Sequence, residues 1–171
     1  MTRVRRIIPG VLFLSLAVAT SCKAPPPDYR ETNKQVLRDL YAALDAQDYD
    51  RINALVAPGV VVRLVGTEVT VPWSEVASGM IPMYYGAFKG YSHVVDQLVA
   101  EGDWVVARVT FHGTHTGEFQ GAPATGNTFT YGGVHMAQVV GGTVRDFWLL
   151  EDDLGLMRQL GMDLVPKAPT P

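Results

Sequence analysis

The chain of 171 residues holds a single cysteine, Cys22. One thiol can neither close an intramolecular disulfide nor supply a four-cysteine metal site. Charge is also sparse, 18% of residues against 47% hydrophobic, which excludes a disordered polar chain and leaves ample material for one core. Basic side chains are in the minority. From residue 22 onward eleven of them stand against seventeen acidic ones, a net of −6, so the phosphate attraction that drives nucleic-acid binding is missing and no nucleic-acid partner is expected. Gly-x-Ser-x-Gly does not occur, and the glycines of 113–126 neither follow a phosphate-loop pattern nor open a helix. His112 and His115 alternate faces with no further Cys/His cluster, so no metal site is expected.

The ends of the chain have their own character. Arg3, Arg5 and Arg6 precede an apolar run from Ile7 to Ala19 and the small residues Thr20-Ser21. That is the layout of a secretory signal over residues 1–21, too short for a spanning helix. Leu16-Ala17-Val18-Ala19-Thr20-Ser21-Cys22 resembles the bacterial lipoprotein lipobox, in which the cysteine becomes the lipid-bearing first residue. The resemblance implies lipidation of Cys22 and an exported protein anchored to the membrane at the cell envelope. The alternative is a plain signal peptide cut nearby, leaving a free thiol. Six of the eleven prolines lie in 23–27 and 166–171. Such segments stay extended and solvated, so residues 22–27 read as a tether, 166–171 as a disordered tail, and 28–165 as the folded domain.

Within that domain the pattern over 29–47 is helical: Val36, Leu37, Leu40, Tyr41 and Leu44 recur every three or four residues, with Asp28 as N-cap and Asn33 on the same stripe. A short helix is expected from Asp50 to Val56, a weak two-strand stretch over 60–71 around Gly66, and a helix from Trp73 to about Phe88, kinked near Pro82. From Ser92 the period becomes two. Strands are expected over Ser92–Glu101, Trp104–Thr116, Thr128–Val140 and Thr143–Leu150, with turns at Gly102 and Gly141-Gly142, and a last short helix over Asp152–Leu160. Helices followed by a long meander argue for an α+β domain, one sheet wrapped over a helical layer.

Alternation assigns the faces. Val105, Ala107, Val109, Phe111 and His115 share one side of the second strand. Phe129, Tyr131, His135, Ala137 and Val139 share one side of the third. On the fourth, the set Val144, Asp146, Trp148 and Leu150 is expected to join them. A hairpin pairing Val140 with Thr143 sets Ala137 opposite Asp146 and His135 opposite Trp148, so that Asp146 is the diagonal neighbour that orients His135. The alternatives are a bulge that moves Asp146 to the opposite face, and a salt bridge from Asp146 to a neighbouring arginine.

The segments Gly102-Asp103-Trp104-Val105-Val106-Ala107-Arg108-Val109-Thr110, Gly113-Thr114-His115-Thr116-Gly117-Glu118-Phe119, Gly121-Ala122-Pro123-Ala124-Thr125-Gly126 and Val139-Val140-Gly141-Gly142-Thr143-Val144-Arg145-Asp146-Phe147-Trp148, with Asp153 and Arg158-Gln159-Leu160-Gly161, resemble the SnoaL-like polyketide cyclase (ester cyclase) family. The resemblance implies a cone-shaped barrel of the nuclear transport factor two-like type, with a curved antiparallel sheet and N-terminal helices around one pocket. It also implies a homodimer through the sheet's outer face. The reaction it implies is intramolecular aldol closure of a polyketide ester, without metal or cofactor, using a pocket aspartate as acid/base. That aspartate falls on His135 here, and the arginine often found three residues later falls on Gln138.

His135 and Asp146 are accordingly the candidate catalytic pair, with His135 the base. The other reading of His135 is a hydrogen-bonded histidine in a non-catalytic ligand pocket. Candidate substrate-binding residues are Asn33, Tyr84, His115, Tyr131 and Trp148. Asn33 or Tyr131 would donate to a developing oxyanion, and His115 would bond the loop that closes the cavity. The ligand expected is a small apolar organic molecule. Two functions stay open: cofactor-free cyclisation, isomerisation, dehydration or hydrolysis next to a carbonyl, or binding without turnover.

Overall fold

The computed structural model describes residues 28–162, so the expected signal segment, Cys22, the expected tether and the expected tail lie outside the described residues. The stripe of the first helix becomes α1 (Arg30–Asp45), which buries Val36, Leu37, Leu40 and Tyr41 and packs on three strands of the sheet. Asp28 is not its N-cap. The carboxylate accepts from the Arg30 N–H at 3.1 Å and pairs with the Arg30 guanidinium, while Tyr29 holds the cap position without a side-chain bond. After a turn through Gln47 at φ 51°, Asp48 accepts from the Arg51 N–H at 2.9 Å and starts α2 (Tyr49–Leu55).

Two short strands, β1 (Val61–Leu64) and β2 (Thr70–Pro72), flank Gly66. A continuous helical segment follows: α3 (Trp73–Glu75), a π-helical turn over Val76–Met80, and α4 (Ile81–Ala87). The expected kink takes the form of that wide turn, in which the Ile81 N–H reaches back to the Val76 carbonyl. Pro82 has no N–H to give and its ring crowds the carbonyl four residues earlier. A turn with five-residue spacing accommodates both.

The long strands are β3 (Phe88–Glu101), β4 (Trp104–His115), β5 (Thr128–Val140) and β6 (Thr143–Glu151), followed by α5 (Asp153–Gln159). The sheet order is β2-β1-β6-β5-β4-β3. Neighbours run antiparallel except β1 beside β6, which are parallel. This is the expected α+β cone, a curved sheet around the N-terminal helices. β3 begins four residues before the expected Ser92 because Gly90, at φ 67°, permits a bulge between Lys89 and Ser92.

The inner faces of β4 and β5 are the expected ones, with Val105, Ala107, Val109, Phe111, Phe129, Tyr131, Ala137 and Val139 all buried. β6 departs. Val140 pairs with Thr143 and Val139 with Val144, but Gln138 then pairs with Asp146, so Arg145 is an extra residue bulged out of the ladder. Because side chains alternate, one extra residue exchanges the two faces of everything after it. Phe147 is buried and Leu149 and Glu151 line the interior, while Asp146 and Trp148 move to the outer face.

The loop after β4 is held against the end of α4: the Thr116 and Gly117 N–H groups both donate to the Ala87 carbonyl at 2.9 Å. A Cβ on Gly117 would lie 2.5 Å from the Gly86 carbonyl oxygen, a backbone atom that cannot step aside alone. Gly117→Ala is expected to lower the unfolding free energy by about 1–3 kcal/mol, read as a lower urea midpoint with an unchanged slope.

Candidate active site

A cavity of about 440 Å³ opens between the concave face of the sheet and the helical segment 73–87. Its walls are apolar: Trp73, Met80, Met83 and Tyr84 on the helical side, Phe111 and Phe147 on the sheet. Polar groups are few and come from specific places in the fold. His135 arises from the inward set of β5 and is 4% exposed. Its Nδ1 lies 2.9 Å from the Tyr41 hydroxyl of α1, and its Nε2 lies 2.9 Å from Glu151 Oε1 at the end of β6.

These contacts settle the tautomer of the neutral ring. A carboxylate only accepts, so the nitrogen facing Glu151 carries the hydrogen, and Tyr41 donates its hydroxyl hydrogen to Nδ1. Burial and the Glu151 charge push the Tyr41 phenol well above its ordinary range, so it remains a donor. The same two causes raise the phenols of Tyr84 and Tyr91, and burial, then Tyr91, then the Glu151 charge raise that of Tyr131. Tyr91 and Tyr131 share a 2.8 Å hydroxyl contact, and the Tyr131 hydroxyl donates at 3.5 Å to Glu151 Oε2. Glu151 fits because it pairs with Gly133: a Cβ there would meet Glu151 Cγ and Phe111 Cε2, both at 3.1 Å.

The cavity holds a second imidazole–carboxylate pair. His93 of β3 lies with Nδ1 2.6 Å from Oδ1 of Asp45, the last residue of α1. The Tyr41 ring lies beside both histidines, 5.4 Å from His93 and 6.0 Å from His135 between centroids.

Several expected placements are overturned. Asp146 does not orient His135. The bulge at Arg145 carries it to the outer face, where it pairs with Arg63, and His135 sits opposite Leu149 rather than Trp148. Trp148 likewise faces outward, with the Arg63 guanidinium 5.2 Å from its ring. Asn33 is buried on the stripe of α1, but its Nδ2 donates to the Gly102 carbonyl in the β3–β4 turn at 3.4 Å, away from the cavity. His115 lies behind Phe88 rather than in the cavity, with Nδ1 3.1 Å from Thr125 Oγ1. It thus bonds Thr125 of the 117–127 loop, the loop contact expected of it. Tyr131 does not line the cavity: its ring stacks 4.6 Å from Phe111 and its hydroxyl meets Tyr91 and Glu151. Tyr84 lines the cavity as expected.

The missed residues are Tyr41, Asp45, His93 and Glu151. His93 shares its phase with buried Tyr91 in β3, and that alternation was available to find it. Glu151 could be found only by counting forward in steps of two from Phe147, whose aromatic ring belongs inside.

The model of the SnoaL-like polyketide cyclase family matches residues 34–160. Aklanonic acid methyl ester cyclase DnrD of Streptomyces peucetius is 37% identical over 76 residues, 44% of this chain and 52% of that protein. Its counterpart DauD of Streptomyces sp. strain C5 is 42% identical over 76 residues, 44% of this chain and 47% of that protein. The chain thus spans about half the length of the curated relatives it matches. Among solved structures, IdmH of Streptomyces antibioticus is 28% identical with a TM-score of 0.67, covering 76% of this chain and 99% of that one.

Tyr41→Phe strips His135 Nδ1 of its donor in a dry site. It is expected to cost about 1–3 kcal/mol of stability, measured by urea unfolding. Asp146→Ala, which breaks a partly exposed pair, is expected to cost about 1 kcal/mol or less.

Proposed function

Because this chain belongs to the SnoaL-like polyketide cyclase family, we propose that its cavity closes or isomerises a small, largely apolar carbonyl compound by acid/base chemistry that needs no metal or cofactor. The observation that carries this reading is an imidazole–carboxylate pair, His135 with Glu151, held in an apolar cavity of about 440 Å³. That volume lies within the range of small-molecule sites. In such surroundings a charge is poorly screened, and a proton shared between two groups responds strongly to a third.

The family's pocket aspartate falls on His135 in this sequence. Glu151 supplies a carboxylate from the neighbouring strand instead, with its charge felt by Tyr41, Tyr84, Tyr91 and Tyr131. Both nitrogens of His135 are engaged, so this pair orients and polarises, and taking a proton on His135 first requires a hydrogen bond to break. Tyr84 lines the cavity and its phenol stays protonated, which suits it to hold a developing enolate oxygen. The curated relatives are named for ring closure of a polyketide acid methyl ester, and the same reaction class is the substrate chemistry proposed here. The fully engaged His135 favours one other reading, a binding protein in which this network is purely structural.

Aklanonic acid methyl ester serves as probe. Wild-type protein is expected to convert it to an isomer of unchanged mass, and His135→Ala to do so at least about 10²-fold more slowly, followed by liquid chromatography with mass detection. Retention of the ester unchanged by both proteins would establish the binding reading instead.

The envelope location belongs to the same proposal and rests on Leu16–Cys22. Cys22→Ala is expected to abolish palmitate labelling of the chain in cells, and unchanged labelling would rule the anchor out. A homodimer through the sheet's outer face is supported by one row across four strands, Val99, Val106, Met136 and Trp148; sedimentation equilibrium decides it.

A further inference from the structure

Resting on the acid/base reading above, we propose that His93 is the base that takes the substrate proton and that Asp45 is the residue that positions it. Asp45 stands where a carboxylate is least favoured, at the C-terminal end of α1, whose last turn carries no basic residue. A side chain placed against the helix dipole points to a compensating partner, and β3 provides it. The His93 backbone N–H donates to both carboxylate oxygens at 3.2 Å, and its ring nitrogen Nδ1 donates to Oδ1 at 2.6 Å. The Tyr85 hydroxyl adds a third donor at 3.4 Å.

Three donors to one carboxylate fix the tautomer of His93. Nδ1 carries the hydrogen, so Nε2 is left with a bare lone pair. This is the opposite tautomer to His135. The His93 side chain is 8% exposed and lines the cavity, its ring held by Tyr41, Tyr91 and Phe111 at 5.2–5.4 Å between centroids. Among the described residues no group bonds Nε2, and unlike Nε2 of His115 it is not sealed from solvent. Of the two imidazoles in the cavity, only His93 therefore presents an unoccupied nitrogen to a ligand.

The step balances without a co-reactant. Nε2 takes the proton from a carbon beside a carbonyl: the C–H bond breaks, the N–H bond forms, and the electron pair is held as an enolate whose oxygen accepts from the Tyr84 hydroxyl. The Asp45 and Glu151 carboxylates offset the charge of the imidazolium. The enolate carbon bonds to the acceptor carbonyl carbon as the C=O π bond there opens, and the alkoxide that results takes the proton from Nε2.

The probe is 5-nitrobenzisoxazole, from which a base removes the C3 proton as the N–O bond breaks, giving a coloured phenolate. This elimination needs a base and no acid, so it isolates the proposed role. His93→Gln is expected to lower kcat/KM by about 10²-fold or more, a larger loss than Glu151→Gln causes. Asp45→Asn is expected to lower kcat with KM unchanged. Nitrogen-15 NMR of the wild-type protein is expected to report hydrogen on Nδ1 of His93 and on Nε2 of His135, and a mixture of His93 tautomers in Asp45→Asn. Loss of elimination in Glu151→Gln with retention in His93→Gln would make Glu151 the base, overturning this assignment while leaving the proposed function standing. Hydrogen on Nε2 of His93 would overturn it without any reference to turnover. Wild-type protein that accelerates neither this elimination nor ester closure would overturn both.

Discussion

One extra residue in β6 governs the chemistry of the cavity. With Arg145 bulged out of the ladder, every later side chain of the strand changes face. Phe147, Leu149 and Glu151 turn inward, and Asp146 turns outward to Arg63. Without the bulge the carboxylate inside would be Asp146 opposite Ala137, two pleat repeats closer to the hairpin than Glu151 opposite Gly133, and Glu151 would point to solvent. The identity of the buried anion, the tautomer of His135 and the state of the neighbouring phenols all follow from that single insertion.

The second constraint is dryness. Tyr41, Tyr84, Tyr91 and Tyr131 are each displaced upward by burial first; the Glu151 charge comes second for Tyr41, Tyr84 and Tyr91, and after Tyr91 for Tyr131. These hydroxyls therefore act as hydrogen-bond donors and acceptors that do not ionise. A cavity built this way contains two histidines with unlike duties. His135 has Tyr41 on one nitrogen and Glu151 on the other, which locks it into the wall. His93 is locked on one side only, by a carboxylate at the end of α1. The asymmetry arises from position: β5 is an interior strand with β6 beside it and α1 over it, whereas β3 is an edge strand with a neighbour on one side only.

Much of the fold was legible because its signals are local. The stripe Val36, Leu37, Leu40, Tyr41 has only one good helical reading, and the alternation in β4 and β5 has only one good sheet reading. The turns at Gly102 and Gly141-Gly142 adopt positive φ, as their composition implies. Of the site, His135 and Tyr84 could be placed from pattern alone. Asp146, Trp148 and Asn33 could not, and each failed for a physical reason. The first two depend on strand register beyond a bulge that no residue type announces. The third depends on how α1 lies across the hairpin end, which sets the Asn33 amide against the Gly102 carbonyl.

By itself, then, the sequence determined the α+β architecture, the apolar lining and the presence of a histidine on the inner face of β5, because backbone period and side-chain hydrophobicity act between near neighbours. The partners of that histidine were decided only by the tertiary structure. Tyr41, Glu151 and the His93–Asp45 pair come from segments far apart in the chain, and hydrogen bonds that tolerate a few tenths of an ångström are set by register and helix placement. Those are properties of the assembled sheet, and a one-residue shift in it exchanges one carboxylate for another.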